Sequence, residues 1–389
     1  MDMKSSNTHP WIAFHFDFAW LEPRHWLILG EASSRIEHII GTPLIKHVEE
    51  KLNRIYVARG LQGSAAIEGN TLTEEDVQRR LAGELELPPS QAYLGQEIDN
   101  LQRAYYLVAE GIQDADRRDL TEEQIKNFNR VILEGLALES DVTPGVYARR
   151  QHGVERYRAP SPEAIRQLMP RFVEWLHGPT WEALEGFPFA ASVVRAILAH
   201  LYLAWIHPFG DGNGRTARLV EADLLARAGV PAISYHLLSS YYSQTRVEYY
   251  RVLAASSAIE RGNAMLFLDY ALRGLADGLK RQVQTIKQQH REIIWHDFVH
   301  AQFRGLDTPR YMRLRRLAID LSEIGVPVPA SAVRHITPRI AESYAGKTDK
   351  TLTRDIRELL TRGLVRRQGD GVVANIERLD AFVPPARQP

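Results

Sequence analysis

PFAASVVRAILAHLYLAWIHPFGDGNGRTARLVEADLLARAG, residues 188–229, decides the fold. Val193, Val194, Ile197, Leu198, Leu201, Tyr202 and Trp205 spread around so wide an apolar face that residues 188–206 predict a central, largely buried helix. A second helix is expected from about Gly212 to Ala228, closed by Gly229 and Pro231. Two core helices are therefore joined by a short loop rich in glycine.

That loop reads as an anion site. Gly210, Gly212 and Gly214 allow the backbone to come close to a ligand, and the helix starting there offers unpaired N–H groups and a positive dipole end. Arg215 and Arg218, three apart, fall on one helix face where both can reach a polyphosphate. Asp211 supplies one carboxylate for Mg2+, an ion that takes few protein oxygens and completes its shell with phosphates and water. His207 precedes Pro208, which discourages helix, so its imidazole emerges at the helix end as the evident base. PFGDGNG alone would read as a tight turn between helices. His207, Asp211, Arg215 and Arg218 at fixed offsets argue for chemistry instead, and no Gly-Lys-Ser/Thr follows to make a Walker loop.

Composition bounds the rest. The chain has 389 residues, room for two or three domains of roughly 150 residues each. Lys plus Arg equal Asp plus Glu at 48 each, so any basic patch must be regional. With no cysteine, thiol chemistry and thiolate metal sites are excluded. Residues 1–10 are polar and no uncharged apolar run nears the ~18 residues that span a bilayer, so a cytoplasmic protein without a membrane partner is expected.

Elsewhere helices dominate the first two thirds. Thr121 with Gln124, and Ser161 with Pro162, write helix starts, and Thr71 with Glu74 offers a capping box after a helix ending at Gly69. Phe14, Phe16, Phe18 and Trp20 alternate with period two, which predicts a short strand in an accessory segment, residues 1–42. Residues 145–160 lack a helical period and read as an exposed hairpin. From Arg304 to Arg367 there are fourteen Lys or Arg against seven Asp or Glu. There Lys350–Leu360, then Gly363-Leu364-Val365 and the turn Gly369-Asp370-Gly371, predict a helix followed by a two-stranded wing, hence a winged helix-turn-helix domain over residues 291–389.

HPFGDGNGRTAR, residues 207–218, resembles the signature of the Fic family, His-x-Phe-x-Asp/Glu-Gly-Asn-Gly-Arg-x-x-Arg, at every defining position. The wider resemblance runs from about Leu44 to Leu275 within a domain of residues 43–290. It implies an all-α core that binds ATP and Mg2+ and transfers AMP to a protein hydroxyl. On that analogy His207 deprotonates a Tyr, Thr or Ser hydroxyl, on another protein or on the chain itself, for attack on the α-phosphate. Asp211 would hold Mg2+, Gly212, Asn213 and Gly214 would cradle the anionic transition state, and Arg215 and Arg218 would grip the distal phosphates. Phe209 is expected to be a core anchor. Gly214 follows the AMP-transfer pattern; a kinase-like branch carries Lys there.

The resemblance extends to three other stretches. Residues 147–158 would be the family's flap, registering an extended target segment by strand addition; a plain surface hairpin is the alternative. Ser239–Leu253 is expected as one nucleotide-side helix, with Tyr249 and Tyr250 flanking the base unless they are ordinary core aromatics. SAAIEGN, residues 64–70, resembles the family's inhibitory motif, with Ser64 and Glu68 as its defining residues. Glu68 at a helix C-terminus faces the negative end of the dipole and needs a cation, for which Arg218 is the partner the resemblance supplies. The same Glu could instead direct water to remove AMP. The loop leaves open another transferred group, such as UMP or phosphocholine, because the moiety depends on the pocket walls. A DNA-binding regulator that only senses nucleotide is the rival of a different class, with Arg354, Arg357, Arg366 and Arg367 on phosphates or bases. A homodimer is compatible with all of these.

Overall fold

The computed structural model describes residues 9–44, 46–113, 119–154, 157–182, 184, 186–257 and 263–379. It divides into two compact units, Met1–Val283 and Gln284–Pro389, with the division inside a long helix.

The first unit is helical: α1 (Pro23–Gly41), α2 (Lys46–Ile67), α3 (Glu74–Leu81), α4 (Ala92–Gln113) and α5 (Glu122–Leu133), then strands β1 (Gly153–Val154) and β2 (Tyr157–Arg158). There follow α6 (Pro162–Leu176), α7 (Pro188–Ile206), α8 (Asn213–Arg227), α9 (Leu237–Gln244), α10 (Arg246–Ser257) and α11 (Ala264–Gln302). Helices α7 and α8 form the most extensive contact and are the buried axis about which the others pack. Helix α7 is long and apolar enough to cross a membrane, with mean hydropathy 1.7, yet 78% of it is buried inside the protein, as befits a core helix.

Local signals act largely where the sequence places them. Thr121 caps α5 in a box with Gln124, and the Ser161 side chain accepts from Ala164 N at the start of α6. At α3 the capping box is Thr73 with Asp76, two residues later than expected, because Asn70 Oδ1 takes the Leu72 N–H and holds residues 70–72 extended.

Two expectations are corrected. Phe14–Trp20 is not a strand: residues 12–17 run without a ladder partner into a single 3-10 turn, Phe18–Trp20. The alternating aromatics are instead held by rings of α6, α7 and the turn between them, with Phe14 5.1 Å from Tyr202 and Phe16 stacked on Trp181 at 6.3 Å. Nor is Ser239–Leu253 one helix; it breaks at Thr245, whose Oγ1 turns back to Tyr241 O at 2.7 Å and so separates α9 from α10.

In the second unit, α12 (Pro309–Ile324), β3 (Val328–Pro329), α13 (Pro338–Ser343) and α14 (Asp349–Thr361) precede β4 (Val365–Gln368) and β5 (Gly371–Ala374). The strands form one antiparallel sheet in the order β3-β5-β4, with Val365 opposite Ala374. Trp295, Phe303, Leu314, Leu317, Leu359 and Val372 fill its core.

Candidate active site

Helix α7 stops at His207, the one residue of the site whose backbone enters the left-handed region without being glycine, at φ 49° and ψ 58°. Its N–H still reaches Leu203 O at 2.9 Å, so the helix is capped as the chain turns away into Pro208. Phe209 is buried, as an anchor should be, and pairs with Tyr147 in an isolated antiparallel bridge, while Ala148 N donates to Pro208 O at 2.9 Å. The loop's far end is Gly212, the N-cap of α8, at φ +74°, a conformation that favours glycine.

The Asn213 side chain closes the loop on itself: its Oδ1 accepts from Phe209 N at 2.8 Å and its Nδ2 donates to Phe209 O at 2.7 Å. Its amide group is therefore committed to shaping the loop, and the backbone N–H groups of Asn213, Gly214 and Arg215 are the ones without an intrahelical acceptor. Gly214 allows a close approach, since an added Cβ would collide with Glu68 Oε1.

The cations lie beneath. Arg218 is fully buried; its Nη2 donates to Glu68 Oε1 at 2.6 Å and to Ser64 O at 2.9 Å, and its Nε to Ser64 Oγ at 3.1 Å. Its Nη1 is buried without a hydrogen-bond partner among the described residues. Burial pushes the Glu68 carboxyl up, but the Arg218 guanidinium, with Arg215 and His207, outweighs this and holds it below the usual carboxylate range. Arg215 Nη1 meets Glu97 Oε1 at 3.1 Å and its Nη2 meets Asp211 Oδ1 at 3.3 Å.

Asp211 is half exposed; its Oδ1 takes the Gly212 N–H at 2.5 Å and the Arg215 contact. Among the described residues no three His, Asp or Glu side chains gather as a metal cluster. A single outward carboxylate beside an anion cradle nevertheless fits Mg2+, which binds proteins through one or two carboxylates together with substrate phosphates. Burial pushes the His207 imidazole down to about 4, partly opposed by Glu68. It is therefore neutral near pH 7 and can accept a proton.

Glu68, His207, Gly214, Arg218, Tyr249 and Tyr250 line one cavity, whose apolar wall includes Trp205, Leu253 and Ala254. Six expected site residues thus converge. Tyr249 is also a core aromatic: it is buried, its hydroxyl lies 3.0 Å from His200 Nε2, and its ring stacks 5.0 Å from Tyr242. Tyr250 is half-buried and its hydroxyl donates to Ile67 O at 3.3 Å. The hairpin exists as the short pair β1 and β2, with Val154 opposite Tyr157; its tip, residues 155 and 156, lies outside the described residues. It is less exposed than expected, since Tyr157 donates to Trp205 O and lines the same cavity.

Sequence reasoning missed two residues. Asn129, fully buried on α5, donates to Asp211 O at 2.9 Å and accepts from Gly145 N at 2.9 Å, tying the glycine loop to the segment before the hairpin. Glu97 holds Arg215 from α4 and also accepts from Asn70 Nδ2 at 2.7 Å. The one available signal was a polar residue on the otherwise apolar face Ile125, Phe128, Ile132 of α5.

Residues 119–225 match the family model described as the Fic/DOC family. The chain is 32% identical over 190 residues to a Nematostella vectensis protein named protein adenylyltransferase Fic, covering 49% of this chain and 41% of that one. It thus spans about two fifths of the length of such curated relatives. Among solved structures, Fic-1 (aa134 - 508) of C. elegans superposes with a TM-score of 0.55 at 21% identity, over 68% of this chain and 74% of that one. A Fic family protein from Desulfovibrio desulfuricans G20 superposes at 0.51 and 22% identity, over 90% and 93%. Residues 119–225 are thus similar in sequence to the Fic/DOC family, and the fold is that of the solved Fic structures.

Proposed function

We propose that the chain is a self-inhibited protein adenylyltransferase that moves AMP from ATP to a hydroxyl of a protein, itself included. The observation that carries this is Arg218: a buried guanidinium with one nitrogen lacking a hydrogen-bond partner among the described residues and another held by Glu68, beside the bare N-terminus of α8. An oxyanion of a polyphosphate supplies what that nitrogen lacks. The names of the curated relatives support the same transfer.

The chemistry follows from the placement of groups. The target hydroxyl gives its proton to His207 while its oxygen attacks the α-phosphorus; the bond to the β-phosphate oxygen breaks and pyrophosphate leaves. A nearby polyphosphate raises the affinity of His207 for that proton, since a negative charge favours imidazolium. The N–H groups of Asn213, Gly214 and Arg215 stabilise the charge that develops on the phosphorus oxygens. Arg215 and Arg218 hold the distal phosphates, each after giving up a carboxylate. Asp211 would hold Mg2+, which when bound would supply Lewis-acid neutralisation of the phosphate charge. Glu68 is the brake, because Arg218 Nη2 cannot serve Glu68 and a γ-phosphate together.

Incubating wild type and Glu68→Gly with ATP, Mg2+ and a lysate tests the reading: the variant should gain the mass of AMP on itself or on another protein, and no adduct anywhere would refute it. Glu68 shares the cavity with His207 and is kept ionised, so the reverse assignment, a carboxylate that activates water to remove AMP, is favoured if wild type strips an AMP-modified protein faster than the variant does.

For the second unit we infer a winged helix-turn-helix that binds duplex DNA. Lys350, Thr353, Arg354 and Arg357 lie exposed along one face of α14, and Arg354 and Arg357 have no ion-pair partner among the described residues. Arg367 is exposed on the wing, whereas Arg366 is engaged with Glu377 at 2.8 Å. Binding to a duplex probe should weaken steeply with salt and drop in the Arg354→Ala/Arg357→Ala variant; salt-independent binding, or none, would overturn the assignment.

A further inference from the structure

Strands β1 and β2 are two residues each, and a hairpin of that size is marginal on its own. Part of what holds it comes from the far end of the chain. His9 is buried, and its Nε2–H donates to Arg158 O at 2.8 Å. Its ring lies edge-on to Tyr157 at 6.2 Å and to Trp11 at 5.1 Å, and Trp11 stands 6.5 Å from Tyr157. Tyr157 in turn donates to Trp205 O, two residues before His207, and lines the cavity.

The segment is anchored behind these contacts. Ile12 and Phe16 are buried, and His15 N donates to the Tyr202 hydroxyl of α7 at 3.3 Å. Phe14 has φ +51°, a strained conformation that a bulky residue keeps only when its surroundings impose it. Those surroundings are the rings of Phe172, Trp175 and Tyr202 at 5.1 to 6.3 Å. A backbone forced into that region, with a hydrogen bond on one side and a ring cluster on the other, fixes the direction in which residues 9–11 leave α7.

We propose that His9–Leu21 is a strap that sets the hairpin against the catalytic cavity, with His9 and Trp11 as positioning residues acting through Tyr157. The proposal rests on the adenylyltransferase reading only for its kinetic consequence. The phosphate contacts come from α8, whereas the strap bonds to β2 and α7, so loosening it lowers turnover while leaving nucleotide affinity in place.

The test compares His9→Ala/Trp11→Ala, and the conservative His9→Gln, whose side-chain amide can still donate to Arg158 O, all in the Glu68→Gly background. Hydrogen exchange reads the strap without any transfer chemistry. The Ala159 amide, bonded to His152 O at 3.1 Å, should exchange about tenfold faster in the double variant while amides of α7 and α8 hold their protection. Labelling from α-labelled ATP should fall about tenfold at saturating ATP, with the half-saturating concentration changed less than twofold and His9→Gln restoring most of the rate. Unchanged exchange at Ala159, equal loosening of α7, or a His9→Gln variant as impaired as the double variant would overturn the strap. Exchange that behaves as expected in a protein that labels nothing would leave the strap standing and sink the transfer reading alone.

Discussion

Replacing Glu68 with Gly should make the protein less stable without ligand and tighter for ATP by about the same free energy. Arg218 has no exposed side-chain surface, and after the change its remaining acceptors, Ser64 Oγ and Ser64 O, are neutral. A charge-assisted hydrogen bond contributes about 1.5 to 3 kcal/mol, and removing one partner of a fully buried pair costs more. The Glu68 side chain is 30% exposed, so about 2 kcal/mol is the fitting figure. In a unit of 283 residues that lowers the unfolding temperature by roughly 4 °C. Wild type must break the same contact before Arg218 Nη2 can meet the γ-phosphate, which weakens ATP about thirtyfold relative to the variant. Thermal unfolding with and without ATP and Mg2+, together with calorimetric titration of ATP, measures both halves. The variant should melt first when empty and regain its deficit when ATP saturates it. An empty variant as stable as wild type, with ATP affinity within twofold, would refute the claim that Glu68 competes with phosphate for Arg218.

Two further outcomes follow from buried groups. Burial lowers the imidazoles of His236 to about 3 and of His207 to about 4. Both lie below the unfolded value of about 6.5, so their stabilisation is complete above that pH and drains as pH falls towards the folded values. At pH 5 His236 alone should have lost about 2 kcal/mol, read as a falling urea midpoint that is flatter in His236→Phe; parallel curves for the two proteins would contradict the assignment. Asn129→Ala removes the acceptor of Gly145 N and the donor to Asp211 O, and should cost about 2 to 3 kcal/mol in urea unfolding while lowering turnover. A loss of stability under ~0.5 kcal/mol would show that the loop stands without that tie.

The site was legible where chemistry is written in adjacent residues. Gly212 needs its positive φ, Pro208 ends α7 at His207, and Arg215 and Arg218 follow at helical spacing, so one short stretch carried the residues proposed as cradle, base and phosphate-binding cations. Glu68 was legible for a different reason: a carboxylate at a helix C-terminus is unfavourable until a cation meets it, and Arg218 does so at 2.6 Å. Glu97 and Asn129 were hidden because their partners lie 118 and 82 residues away; only the break Asn129 makes in the apolar face of α5 was local, and nothing local distinguishes Glu97 from other polar residues on helices. The aromatic alternation at Phe14–Trp20 misled, since period two describes any extended chain that buries alternate rings, with or without a ladder partner. The break at Thr245 was equally silent, because a Thr in a helical pattern signals nothing until its hydroxyl is seen to bond back to Tyr241 O.

Transfer of label from α-labelled ATP to protein, in the presence of Mg2+, by Glu68→Gly and by Glu68→Gly combined with His207→Ala, tests the central claim most directly. Strong labelling by the first, none by the second, and none from γ-labelled ATP by either is the result expected of AMP transfer with His207 as base. Labelling that survives the loss of His207, or that comes from the γ-phosphate, would contradict it.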